Sequence, residues 1–237
     1  MKKRLFNPSV QMSEAPITVF FLTLSGGMQD AYSYFVRGKV FANAQTGNLL
    51  LLGVNLSQGN LSQSVRYFFP VVFFAVGIAI AHNLKLLFKP RQLHWRQIVL
   101  VLEAVILVCV SFMPTEWNLL ANSLTSLACG MQVQSFRKLH GHAFATTMCI
   151  GNLRSGTQAM VSYMHSREHE DLETGLLYYF VILSFVLGAV IGNWLIGPLG
   201  LRMILASPIL LTIAFGIMFV DREHRKGRSP QAEENLK

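Results

Sequence analysis

Charge is what this sequence has least of. Only 14% of its 237 residues are Asp, Glu, Lys or Arg, against about 25% in an ordinary soluble domain. Acids are scarcer still, at twelve against twenty Lys and Arg. So few charges cannot cover a water-facing surface unless lipid covers part of it. A disordered chain is excluded too, since disorder needs little hydrophobe and much charge, and here 52% is hydrophobic. Cysteine is nearly missing. Cys109, Cys129 and Cys149 lie in apolar stretches, are odd in number and form no C-x-x-C pair, which argues against a disulfide framework or a zinc site. The phosphate loop G-x-x-x-x-G-K-[ST] and the dinucleotide fingerprint G-x-G-x-x-G are both absent, and no nucleophile stands beside a credible base. No enzyme activity and no cofactor are therefore expected. Nor does a signal-peptide core follow the polar N-terminal stretch, so the first apolar segment reads as a retained span.

What is present is apolar sequence in eight blocks, roughly 16–36, 41–58, 65–88, 97–114, 118–138, 143–164, 175–197 and 202–220. Four of them contain long runs almost free of charge, each able to cross a bilayer at about 20 residues per crossing. The blocks 41–58 and 143–164 are the most polar. The predicted organisation is an N-terminal cytoplasmic segment (1–15), two membrane repeats (16–114 and 115–220) and a disordered cytoplasmic tail (221–237).

Internal repetition motivates that division. Gly27-Met28-Gln29 recurs as Gly130-Met131-Gln132, and Gly47-Asn48-Leu49 as Gly151-Asn152-Leu153 after a one-residue slip. Phe74-x-x-Gly77-x-x-x-Ala81 recurs as Phe185-x-x-Gly188-x-x-x-Gly192. The matches are collinear, so blocks one to four pair with blocks five to eight.

Lys and Arg favour cytoplasmic loops, which allows two topologies to be compared. If all eight blocks cross, the basic residues divide almost evenly. If 41–58 and 143–164 return to the face they left, sixteen of the twenty lie on the cytoplasmic side, leaving Arg37, Lys39, Arg66 and Arg202 outside. The expectation is an all-α polytopic bundle with about six crossings, two broken or re-entrant segments and both termini cytoplasmic. Three crossings per repeat invert the second repeat, an arrangement that secondary transporters use around a midplane site. The net charge of +8 then records insertion. Anionic lipid headgroups on the cytoplasmic side are the expected partner, and nucleic acid is not.

Polar groups at membrane depth are the candidate site. A charge there costs at least about 2.5 kcal/mol, so it normally faces a bundle interior or a water-filled cavity. Asp30 and Glu103 are the acids within the spans. Asp30 follows Gly26-Gly27 and reads either as a proton or cation carrier, as a partner for Arg154, or as an acid that reaches the interface. Glu103 reads as an acid near the helix end that snorkels or pairs with Arg96. Asn43-Ala44-Gln45-Thr46-Gly47-Asn48 suits a broken helix that coordinates a small polar ligand, or else helix-to-helix hydrogen bonding. The expected cavity comprises Gln29, Asp30, Asn43, Gln45, Thr46 and Asn48, faced by Gln132 and Asn152. Gly77 with Ala81, and Gly188 with Gly192, are small-x-x-x-small pairs expected to pack helices closely. His165-Ser166-Arg167-Glu168-His169 spells H-x-x-E-H, an inverted zinc-protease motif, but in a polar loop it reads as a solvated connector.

Gly26-Gly27-Met28-Gln29-Asp30-Ala31, together with Phe41-Ala42-Asn43-Ala44-Gln45-Thr46-Gly47-Asn48-Leu49, resembles the signature of the YoaK-like family of bacterial multi-pass inner-membrane proteins. That family is defined as a domain of unknown function. The likeness runs from about 14 to 220, and Gly130-Met131-Gln132 through Gly151-Asn152-Leu153 is similar to the family's second half. Where the family's second copy often reads Thr-Gly-Asn, this chain has Ile150-Gly151-Asn152. The resemblance implies an inner-membrane location and no particular substrate. From the residues themselves the expectation is a transporter or channel-like permease for a small solute or ion, and a homo-oligomer is compatible with it. The rival is a non-transporting module, such as an assembly partner or sensor.

Overall fold

The computed structural model describes residues 15–88, 94–139, 142–144, 146–147 and 149–228. Each apolar block becomes a helix: α1 (Pro16–Val36), α2 (Gln45–Ser57), α3 (Leu61–Leu87), α4 (His94–Ser111), α5 (Asn118–Ser135), α6 (Cys149–Ser166), α7 (His169–Leu199) and α8 (Ala206–Arg228). A two-residue antiparallel ladder, Lys138–Leu139 with His142–Ala143, lies between α5 and α6. The tail expected to be disordered from 221 is helical to Arg228; 229–237 and the N-terminal residues 1–14 lie outside the described residues, as do Lys89 and Arg91.

Helix directions follow from which residues meet. Gln132 donates to Leu22 O, Cys129 to Gln29 Oε1, and Asn122 to Arg37 O. As α1 ascends, α5 descends. By contrast Phe20 stacks on Phe180, Leu24 lies against Gly188 and Met28 against Gly192, so α1 and α7 run the same way. Phe74 lies against Gly130, Gly77 against Met131, and His82 beside Gln134, which makes α3 parallel to α5. Hence α1 and α3 are antiparallel, and the segment between them, 37–60, leaves and rejoins the bundle on one side.

Glycines set the tightest crossings. A Cβ on Gly77 would collide with Leu127 O, and one on Gly130 with Phe74 O. On the other side of the bundle, a Cβ on Gly188 would collide with Leu24 O, and one on Gly27 with Phe185 O. Helix backbones this close exchange dispersion contacts that any side chain would forbid. The contact map has the same regularity. α2 packs on α3 as α6 packs on α7, α4 on α5 as α8 on α1, and α4 meets α8. The main core fills the seam of α1, α4, α5 and α8 with Leu22, Tyr32, Leu107, Phe136, Leu211 and Met218.

The outside is as apolar as the inside. Phe112 and Trp194 are each 72% exposed and Leu87 78%. The most apolar 18-residue stretch of α3 has mean hydropathy 1.9, and that within His169–Met218 has 2.2, with only a third of each buried. An exposed apolar surface of this extent marks a face that meets lipid or protein rather than water.

One basic residue is fully inside. Arg37, counted above as a loop charge, spends all five N–H groups: Nε on Tyr32 Oη (2.7 Å), Nη1 on Pro114 O and Asn118 Oδ1, and Nη2 on Val110 O and Met113 O. Three of those acceptors are carbonyls at and just past the C-terminus of α4; Val110 O and Pro114 O also accept from the Met113 and Trp117 N–H groups, and the helix dipole there favours a cation.

Candidate functional site

After Arg37 the chain turns at Gly38 (φ 87°) and Lys39 (φ 61°) and comes back down along α1. Phe41 stacks on Tyr34 at 5.2 Å. Ala42 N–H donates to Ser33 Oγ (3.1 Å), and Asn43 N–H to Asp30 Oδ1 (2.8 Å). Asn43 Nδ2 reaches Gly26 O at 3.1 Å. The descending backbone is thus satisfied by α1, as backbone buried away from water must be. α2 starts at that depth and climbs back, thirteen residues long, or about 20 Å.

The Gln45-Thr46-Gly47-Asn48 turn holds the reversal. Asn48 accepts from Phe41 N (3.0 Å) through Oδ1 and donates to Phe41 O (2.7 Å) through Nδ2. It therefore copies the pairing of a neighbouring strand. Gly47 leaves room for the Phe41 ring, which a Cβ would strike at 2.8 Å. Gln45 Nε2 holds Ala42 O at 2.8 Å.

A cavity of about 820 Å³ opens between α1, α7 and the first turns of α2 and α6. Asp30, Asn43, Gln45 and Thr46 line one side, with Thr147 and Asn152 from the second half. Phe41, Phe144 and Phe185 supply apolar wall. Phe35 and Ile150 on its rim are 63% and 80% exposed. The N-termini of α2 and α6 both face it, and unpaired N–H groups at helix starts carry partial positive charge. Asn43 Oδ1 and Thr147 Oγ1 are buried with no hydrogen-bond partner among the described residues.

Three of the eight expected cavity residues are elsewhere. Asn48 is the clamp just described. Gln132 is fully buried and donates to Leu22 O. Gln29 is turned to the opposite side of α1, where its amide donates to Ser25 Oγ (3.0 Å) and Glu103 Oε1 (3.3 Å) and its oxygen accepts from Cys129 Sγ (2.8 Å). Successive helix residues point about 100° apart, so Gln29 and Asp30 cannot share a face. The expected charge pairings do not form. Asp30 is held by Asn43, whereas Arg154 is exposed on α6 beside a shallower groove that runs to His165. Glu103 is fully buried with Gln29 rather than reaching the helix end, and Arg96 lies over the Trp95 ring at 5.6 Å. Gly77, Gly188 and Gly192 lie against a facing helix, and Ala81 is fully buried. The H-x-x-E-H stretch forms the turn from α6 to α7, where Ser166 Oγ donates to Asp171 Oδ2 at 3.0 Å.

Sequence reasoning missed Cys149 and the aromatic wall, for apolar residues beside a polar motif look like ordinary core. It also missed Arg37 as a structural group. Its one available signal was an arginine directly after an uninterrupted apolar block.

A family described as Protein of unknown function (DUF1275) matches residues 18–217. The chain is also similar to the UPF0700 transmembrane protein YoaK of Bacillus subtilis (strain 168), at 27% identity over 209 residues, covering 83% of this chain and 89% of that protein. No solved structure matches.

Proposed function

The chain belongs to the DUF1275 family, and from that starting point we propose that it is a multi-pass inner-membrane protein acting as a secondary transporter or channel-like permease for a small solute or ion. The membrane part of this reading draws on the apolar exterior and on the relative's name as a transmembrane protein. α3 and α7, with 27 and 31 residues, exceed the length needed to span a hydrocarbon layer of about 30 Å, whereas α2 falls short. The segment 37–60, which descends to Asn43 and climbs back as α2, leaves by the face it came from, which supports six crossings with both termini cytoplasmic. The antiparallel course of α1 and α5, the first helices of the two proposed repeats, supports inverted topology.

The observation that carries transport is the cavity where two broken segments bring helix N-termini and Asp30 together. Broken helices around a polar site are how transporter folds present backbone and charge to cargo at membrane depth. A small solute bearing hydrogen-bonding groups and an apolar flank fits the lining. The likeness to transporters is one of architecture, and function must come from the site itself. A second reading, a non-transporting module such as an assembly partner or sensor, draws on the engagement of the Asp30 carboxylate by Asn43 N–H.

Cys149 lines the cavity, so it is a native reporter. In a Cys109→Ser, Cys129→Ser chain, a water-soluble maleimide is expected to modify Cys149 in native membranes, and Asp30→Asn to reduce flux or alter phenotype. An unreactive Cys149, equally unreactive cysteines at positions 45 and 46, and an Asp30→Asn chain with unchanged phenotype would overturn transport in favour of the module.

A further inference from the structure

Apart from the cavity, the bundle contains a second polar centre. Glu103 on α4 has no exposed surface. One carboxylate oxygen accepts from Gln29 Nε2 at 3.3 Å, while the other, Oε2, is buried with no partner. No described Lys, Arg or His pairs with it. Gln29 ties this acid to Ser25 Oγ and Cys129 Sγ. The groups facing Glu103 can be named helix by helix. α5 brings Cys129, whose thiol meets Gln29, and α1 brings Asp30, next in sequence and turned to the cavity. α8 lays Leu211, Ala214 and Met218 along the α1–α4–α5 seam, and α3 contributes Ala81 beside Trp95 and Val99. Neither adds a charge.

A buried carboxylate with one long neutral hydrogen bond and an orphaned oxygen is far from balanced. A structural acid would have both oxygens satisfied. Gln29 turns its amide N–H toward both Glu103 and Ser25 Oγ and its oxygen toward Cys129, so Oε2 of Glu103 is left with neither a donor nor a positive charge, the place a proton fills. The geometry points to Glu103, held by Gln29, as a binding site for one proton, separate from the solute cavity. Gln29 and Asp30 are adjacent on α1. A proton at Glu103 therefore bears on the helix that also holds the cavity acid, and the site is the coupling-ion site of the transporter proposed above. That role rests on the transport reading; the binding itself does not.

Infrared difference spectroscopy on the purified full chain, adsorbed in detergent, reads the carboxyl group directly. Sodium chloride is exchanged for choline chloride, and then acid for alkaline buffer. A signal that converts neutral acid to carboxylate with pH, and vanishes in Glu103→Gln, assigns the proton. A carboxylate band that shifts with sodium and not choline, and is likewise lost in Glu103→Gln, overturns the proton in favour of a metal cation. A Glu103 band unmoved by pH, or a spectrum that Glu103→Gln leaves unaltered, overturns the site. Size-exclusion elution identical to the parent chain qualifies the variant as folded. If it fails to fold, Gln29→Ala replaces it and is expected to displace the same band. Asp30→Asn is expected to retain the Glu103 response, so loss of the solute cavity and loss of the proton site are read separately.

Discussion

Asn43 gives its backbone N–H to the Asp30 carboxylate at 2.8 Å while its side-chain amide takes the Gly26 carbonyl. One residue thus fastens the returning chain to α1 at two heights, one turn apart. Asp30 is both a cavity group and the anchor of the segment that forms the cavity.

That dual role separates two substitutions. Asp30→Asn keeps an oxygen for Asn43 N–H and is expected to melt within a few degrees of the parent chain in detergent. Asp30→Leu strands a buried N–H and is expected to lose about 1–3 kcal/mol, read as a lower midpoint by differential scanning fluorimetry. Equal midpoints for the two would refute the anchor.

The glycines give a paired test. Gly77→Ala and Gly188→Ala place a methyl group on a facing carbonyl oxygen, and each is expected to cut the yield of monodisperse protein severely, overpacking being worth about 1–3 kcal/mol or more. Gly53→Ala and Gly197→Ala meet nothing within 4 Å and are expected to be neutral, or stabilising by up to about 1 kcal/mol. Thermal midpoints of the four variants check both halves of the statement.

Arg37→Lys retains the charge and loses the fork. Lysine offers three donors on a point charge where five planar N–H groups are now in use. A drop of about 1–2 kcal/mol is expected from the hydrogen bonds lost near the α4 terminus, and Arg37→Ala should fall further. A lysine variant as stable as the parent chain would mean that charge, and not the hydrogen-bond array, does the holding.

Reporter fusions test the path of α2. Alkaline phosphatase joined after Gly59 is expected to be active outside and the same reporter after Asp171 silent, with a cytoplasmic fluorescent reporter giving the reverse. Cytoplasmic readings at both positions would require eight crossings.

Helix positions were legible because apolar length is a one-dimensional signal, and α1 begins and ends where the run from Pro16 to Val36 does. What could not be read was direction within a helix. Gln29 and Asp30 are neighbours in sequence and look like one polar site. Gly27, pressed against α7, fixes the rotation of α1, and that contact turns Gln29 into the bundle and Asp30 into the cavity. Asn48 posed the same difficulty, since an amide at membrane depth looks like a ligand until Phe41 folds back beside it. Arg37 was visible as a charge but not as a cap, because its acceptors lie more than 70 residues along the chain.

The collisions at Gly77 with Leu127 and at Gly188 with Leu24 have a further consequence under the inverted pairing proposed here. Each half supplies the glycine of one contact and the carbonyl of the other. Such a joint is self-complementary in the way of a two-fold dimer. A chain of α1–α4 alone would hold half of each joint and could complete both only by meeting a copy inserted upside down. The link from α4 to α5, pinned at Pro114 by Arg37, is then the tether that makes such a meeting intramolecular, replacing a search between two oppositely inserted copies with a single covalent choice of orientation.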